Sequence, residues 1–182
     1  MTLSPKSSNR YRLGERLSFG AGGGIERYLR AGWSSQEPQH RWTNAATAQI
    51  HLFIGSVVGS TVDVVFRLRC RGFVLPGVVE RQQVEVRVNY QRVTTWTVSS
   101  EAWYEAVVPH ARVADGKMLV SLAISRPTAL HDHGLSIDQR KLGLLALEME
   151  VVHSEQPPVV DWLGVGMVPE GEIFRPNGMA SR

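Results

Sequence analysis

The chain has 182 residues, 43% hydrophobic and 20% charged, with a formal net charge of +3. That length suffices for one domain with a real core. A charge this small, with arginines spread along the chain and not run together, argues against a nucleic-acid stripe. A single cysteine, Cys70, excludes an internal disulfide.

The start, "MTLSPKSSNRYRLG", is polar and lacks the apolar core of a secretory signal. No stretch approaches a membrane span in length. The expectation is synthesis in the cytoplasm without a signal peptide, with no membrane insertion. Residues 1–10 read as a flexible N-terminus and 11–153 as the folded domain.

Helical periodicity is nearly absent and alternation dominates. The first predicted strands are Tyr11 to Phe19, Tyr28 to Ala31 and Ala46 to Ile54. Between the first two lies "FGAGGGIERY", whose glycines lack the Gly-Lys-Ser/Thr of a phosphate loop and read as a flexible corner. From Thr61 to Phe73, Val62, Val64, Phe66, Leu68 and Cys70 share one face, and Asp63, Arg67, Arg69 and Arg71 fall largely on the other. This is the pattern of a half-buried antiparallel strand, with Cys70 as a small buried hydrophobe.

Next, "QVEVRVNYQRVTTWTV" puts Val84, Val86 and Val88 inward and Glu85 and Arg87 outward. Asn89-Tyr90 fits a tight hairpin turn, since asparagine tolerates positive φ. The return strand carries Val93 to Val98. Three more strands follow, Ala102 to Val108, Lys117 to Ile124 and Leu142 to Val152. Nine or ten strands without βα alternation predict an all-β fold, a two-sheet antiparallel β-sandwich of jelly-roll type.

Residues 154–182 break the pattern. Prolines at 157, 158, 169 and 176 argue against a regular element, yet Trp162, Leu163, Met167, Ile173 and Phe174 are too apolar for a plain tail. The expectation is an irregular C-terminal arm that packs either back across its own sandwich or, as the favoured reading, on a protein partner or a second copy.

Several chemistries can be weighed. His131, Asp132, His133 and Asp138 in "LHDHGLSID" include metal-ligand types, but Pro127 and Gly134 make the segment a loop and no familiar spacing fixes a further ligand. No metal or cofactor is expected. Glu37 and Asp138 are the loop carboxylates that a glycosidase pair would need. There is no Gly-x-Ser-x-Gly elbow, since "GWSSQ" lacks the flanking glycine. A catalytic role is not expected, and an enzyme on a jelly-roll scaffold ranks last.

"YLRAGWSSQEPQHRWT" is the more telling stretch. It concentrates Trp33, Glu37, His40, Arg41 and Trp42 in one loop. Indole faces pack on the C–H faces of sugar rings, while Arg, Glu and His bond to hydroxyls. Arg41 and Arg140 suit uronate carboxylates. The competing reading is that both tryptophans seal one rim of the sandwich.

"YRLGERLSFGAGG", "YLRAGWSSQEPQHRWT", "VEVRVNYQRV" and "SIDQRKLGLLALEMEV" occur in this order. Together they resemble an accessory β-sandwich domain attached to bacterial surface-polysaccharide glycosyltransferases and related capsule or O-antigen proteins. The loop motif of that family falls on Gly32, Trp33, Glu37, Trp42 and Thr43, and its closing motif on Ser136, Asp138, Arg140, Leu142 and Gly143. Its hairpin reads Val-Asn-Gly, where this chain has Val88, Asn89 and Tyr90.

The resemblance spans roughly Tyr11 to Val152 and implies a non-catalytic module associated with bacterial polysaccharide. It adds Asp138 and Arg140 to the candidate carbohydrate-binding residues Trp33, Glu37, His40, Arg41 and Trp42. It also implies a buried Asp138–Arg140 pair tied to the Trp33 loop. A free-standing copy suits an adhesin or a spike on a phage-like particle or cell surface, where avidity multiplies weak sites. The alternative is a purely structural sandwich subunit or a biosynthesis accessory without its own sugar site.

Overall fold

A computed structural model of the protein describes residues 9–155. Among these residues nine strands form two antiparallel sheets: β1 (Leu17–Ser18), β2 (Arg41–Trp42), β3 (Thr47–Phe53), β4 (Val64–Gly72), β5 (Gln82–Val88), β6 (Gln91–Val98), β7 (Ala102–Val108), β8 (Lys117–Ile124) and β9 (Leu144–His153). One sheet has the order β3-β8-β5-β6. The other runs β1-β9-β4-β7, with β2 also paired to β9. From β3 onward the chain crosses between sheets after every strand except β5, which pairs with β6 as a hairpin. This is the predicted sandwich of jelly-roll type.

Period-two burial builds it. In β5, Val84, Val86 and Val88 are buried while Gln83 and Arg87 are exposed. In β4, Val64, Phe66, Leu68 and Cys70 point into the core. Val62 departs from its predicted inward place: it is exposed, because the strand begins only at Val64.

Trp96 fastens the layers. Its ring stacks near Phe66 of the opposite sheet at 6.2 Å, and its indole N–H donates to the Glu105 carbonyl of β7 at 2.8 Å.

The N-terminal part is less strand-like than predicted. Of Tyr11 to Phe19 only Leu17 and Ser18 form a strand, and Tyr28 to Ala31 contributes one bridge, Leu29 to Ile50. Tyr11, Leu17, Phe19 and Tyr28 are nonetheless buried. The Tyr11 hydroxyl accepts from the Val151 amide at 2.8 Å, and the Tyr28 hydroxyl donates to the Arg10 carbonyl at 2.8 Å.

The glycine corner is packed where a flexible one was expected. A Cβ on Gly23 would lie 2.1 Å from the Ser18 carbonyl oxygen. The Ala21 amide donates to the Glu37 carbonyl at 3.1 Å. The arm predicted at 154–182 lies outside the described residues except for 154 and 155, as does the N-terminal segment 1–8. No helix among the described residues is long and apolar enough to cross a membrane.

Burial gives the core a pH signature. It pushes the Cys70 thiol from 9.0 up to about 12, and it holds the Tyr11 hydroxyl well above its usual value of 10.0. Unfolding releases both groups to ionise at ordinary values. Above the unfolded values the unfolded state therefore binds fewer protons, and stability falls as pH rises. Melting temperature is expected to be flat to about pH 9 and then to drop progressively through pH 12. Calorimetry at fixed ionic strength checks this. A melting temperature unchanged between pH 9 and 11 would mean that these groups are not buried.

Candidate functional site

The segment before β2 runs back against the sandwich before it enters the sheet. Gly32 takes a φ of +89°, and a Cβ there would sit 2.0 Å from the Thr47 carbonyl oxygen. This tight pass turns Trp33 toward the core. Its ring lies 5.0 Å from that of Phe19, and its indole N–H donates to the Gln49 carbonyl at 2.9 Å. Ser34, in the stretch that lacks the elbow motif, is a buried clamp. Its amide donates to the Trp42 carbonyl at 2.9 Å and its Oγ accepts from the Trp42 amide at 3.2 Å.

The clamp creates the two-residue strand β2, and alternation then separates its side chains. Arg41 pairs with Ala146, a core residue, and points inward. Its guanidinium is nine-tenths buried and lies 3.1 Å from Glu26 Oε1 and 3.3 Å from Gln36 Oε1. Trp42 pairs with Leu145 and faces outward. Its ring meets those of His40 at 6.1 Å and Phe73 at 5.9 Å, both edge-on.

The closing motif meets the same loop. Arg140 donates to both Asp138 carboxylate oxygens, with Nη2 to Oδ2 at 2.7 Å, and its Nη1 lies 3.4 Å from Glu37 Oε1. Glu37 Oε2 stands 2.9 Å from His40 Nε2. A relay Asp138–Arg140–Glu37–His40 therefore ends against the Trp42 ring. The bond from the Arg140 side chain holds the Asp138 carboxyl below the usual range.

The tie between the two chain segments matches what the resemblance implies, but it is half-exposed, not buried: Arg140 and Asp138 side chains retain 39% and 28% exposure. Trp33 and Arg41 lie apart from this group, one against the core and the other facing inward.

A second wall of the site follows from the outer face of β4. Arg67 lies between Glu105 and Glu150, at 2.8 and 3.2 Å. Arg69 is paired with Glu148 at 3.1 Å and with Glu101. Arg16 crosses this face, 3.2 Å from Glu150 and stacked 5.1 Å above Trp103. Arg71, next in the outward series, is exposed and has no ion-pair or hydrogen-bond partner among the described residues.

Arg71 and Trp42 stand on either side of Leu145 in one cross-sheet row, about 10 Å apart at the backbone from the strand spacing. Between them opens a cleft of about 470 Å³ lined by Trp42, Arg71, Phe73, Val74, Ser99 and Glu101. It is open and mixed in character: an indole, a free guanidinium, a carboxylate and hydroxyls.

Sequence reasoning placed Arg71 outward but did not connect it to Trp42. The signal available was the alternation of β4 together with "SSE" as the turn between two strands.

His131 and His133 are exposed on a one-turn 3-10 segment, Leu130–His133. Among the described residues no group of three or more His, Cys, Asp or Glu side chains is placed to hold a metal. Glu37 and Asp138 share one arginine, which ties both in place. That suits the holding of a loop better than a proton shuttle.

No family model matches the chain, and none of the curated proteins does. Solved structures are similar in architecture. The CBM36-1 domain of a multidomain xylanase from the hindgut metagenome of Trinervitermes trinervoides aligns with a TM-score of 0.41 at 11% identity, covering 75% of this chain and 94% of that one. A CBM36 carbohydrate-binding module in complex with calcium and xylotriose gives 0.40 at 11%, covering 75% and 98%. An acetyl xylan esterase from the rumen bacterium Butyrivibrio proteoclasticus gives 0.44 at 10%, covering 81% of this chain and 34% of that one.

Proposed function

We propose that the protein is a non-catalytic module that recognises polysaccharide through the Trp42–Arg71 cleft. The observation that carries this reading is the unpaired Arg71 in an otherwise neutralised arginine row, facing an outward indole across one open cleft. A half-buried, outward-facing ring fixed edge-on by Phe73 and His40 offers a sugar an apolar platform at little entropic cost. Arg71, Glu101, Ser99 and Ser100 offer both donors and acceptors for hydroxyls.

The Asp138–Arg140–Glu37–His40 relay then acts as support behind the platform. Bacterial surface polysaccharide is the favoured class, on the motif resemblance. An adhesin or spike role extends the reading, with residues 154–182 as the contact to a partner. Sizing the protein with and without that segment tests this extension, and an unchanged size would end it.

The test of the binding reading is a panel of bacterial capsular and O-antigen polysaccharides. Wild type is expected to bind at least one, and Trp42→Ala to weaken that binding tenfold or more, about 1.4 kcal/mol, with a cooperative melt retained. No binding to any polysaccharide would favour the purely structural reading, and full binding by Trp42→Ala would take the sugar site away from this cleft.

A further inference from the structure

The hairpin between β5 and β6 carries a second feature of the same chemical kind. Asn89 and Tyr90 both take positive φ, 48° and 69°, the geometry of a two-residue type I′ turn. Asparagine suits the first position. The second favours glycine, and an L-residue with a bulky side chain is strained there. Tyr90 is 79% exposed, so packing does not repay that strain.

Nor is the turn loose. The Asn89 side chain donates to the carbonyls of Arg112 and Lys117 at 2.6 and 2.9 Å and accepts from the Leu119 amide at 2.9 Å, bolting the hairpin to the start of β8.

Beside the ring lies a cleft of about 400 Å³ lined by Tyr90, Arg30, Gln49, His51, Lys117 and Leu119. Its charge is dominantly positive. Arg30 Nη2 lies 3.5 Å from His51 Nδ1, and Lys117 Nζ lies 3.3 Å from Asp115, the carboxylate paired with it. Burial, with Arg30 and Lys117 nearby, holds the His51 imidazole below its ordinary value. An exposed ring on a fixed turn, held at a backbone cost beside cations, is what strain retained for function looks like.

We propose that this cleft is a second saccharide subsite, in which Tyr90 stacks on a sugar ring and Arg30 and Lys117 hold the carboxylate of a uronate residue. The inference rests on the reading of the protein as a polysaccharide binder. β6 separates the Tyr90 turn from Ser99–Glu101, so the two sites lie at opposite ends of that strand, roughly 25 Å apart along it at strand rise, and on the outer faces of opposite sheets. A polymer of many repeats can occupy both, which multiplies weak affinities.

The test is mobility in native gels containing polygalacturonate, hyaluronan, alginate or neutral dextran, for wild type, Tyr90→Gly, Lys117→Gln and Trp42→Ala, with melting temperatures measured in parallel. At least one uronate polymer is expected to retard wild type. Tyr90→Gly is expected to weaken that retardation about tenfold while raising the melting temperature by about 2 °C or more, since strain is relieved. Lys117→Gln is expected to weaken it at unchanged melting temperature.

Retardation of Tyr90→Gly within twofold of wild type, or a fall in its melting temperature, would overturn the subsite. If Trp42→Ala alone loses binding, or wild type binds only dextran, the subsite fails and the polysaccharide reading stands. If wild type binds none of these polymers and no member of the wider polysaccharide panel, both fail.

Discussion

Gly32→Ala is expected to destabilise the protein by about 4 kcal/mol, combining overpacking with the cost of positive φ. The added Cβ would lie 2.0 Å from the Thr47 carbonyl oxygen and 2.7 Å from Ala48 Cα, both backbone atoms at the start of β3. Neither can swing aside as a side chain can, so the loop must lift off the strand. The Gly32 carbonyl also accepts from the Asn44 amide at 3.0 Å, and Trp33 bridges Thr43, so lifting the loop loosens the entry to β2 as well. At about 2–4 °C per kcal/mol for a chain of this size, the melting temperature should fall by roughly 10 °C. A fall under 2 °C, read by calorimetry, would mean that the close approach is not a constraint.

Trp33→Ala is expected to cost about 3–5 kcal/mol, the range for removing a large aromatic ring from a packed site. It removes the contact with Phe19 and leaves the Gln49 carbonyl without its indole donor. Its signature is the opposite of that of Trp42→Ala: a large loss of denaturant stability, with polysaccharide affinity per folded molecule unchanged within about threefold. Affinity lost in proportion to a much smaller loss of stability would move the binding site from Trp42 to Trp33.

The two tryptophans look alike in sequence, each in a polar loop beside a strand. What separates them is nonlocal. The glycine pass against Thr47 turns Trp33 inward, and the Ser34 clamp makes a two-residue strand whose alternation sends Arg41 inward and Trp42 outward. No periodicity can be read from two residues, so β2 was invisible, and Arg41 read as a ligand contact.

The long strands were legible because one face is buried and period two shows it directly: Ala102–Val108 and Lys117–Ile124 coincide with their predicted bounds. Tyr11 to Phe19 was over-read, because its apolar spacing serves burial by single side chains and not ladder pairing.

Arg71 was legible as outward. Its isolation was not, since that depends on Glu105, Glu148 and Glu150 arriving from β7 and β9 to occupy Arg67 and Arg69. Tyr90 was legible as a departure from the glycine of the turn. That it overhangs a basic cleft needed the folded positions of Arg30 and Lys117.

The central claim is that sugar meets Trp42, and the indole N–H resonances of the 15N-labelled protein test it most directly. The chain has five tryptophans, and the N–H groups of Trp33 and Trp96 are held on the Gln49 and Glu105 carbonyls. Titration with oligosaccharide from a bound polysaccharide is expected to shift the Trp42 resonance saturably and leave those of Trp33 and Trp96 in place. A Trp42 resonance that stays fixed at saturating ligand would contradict the account.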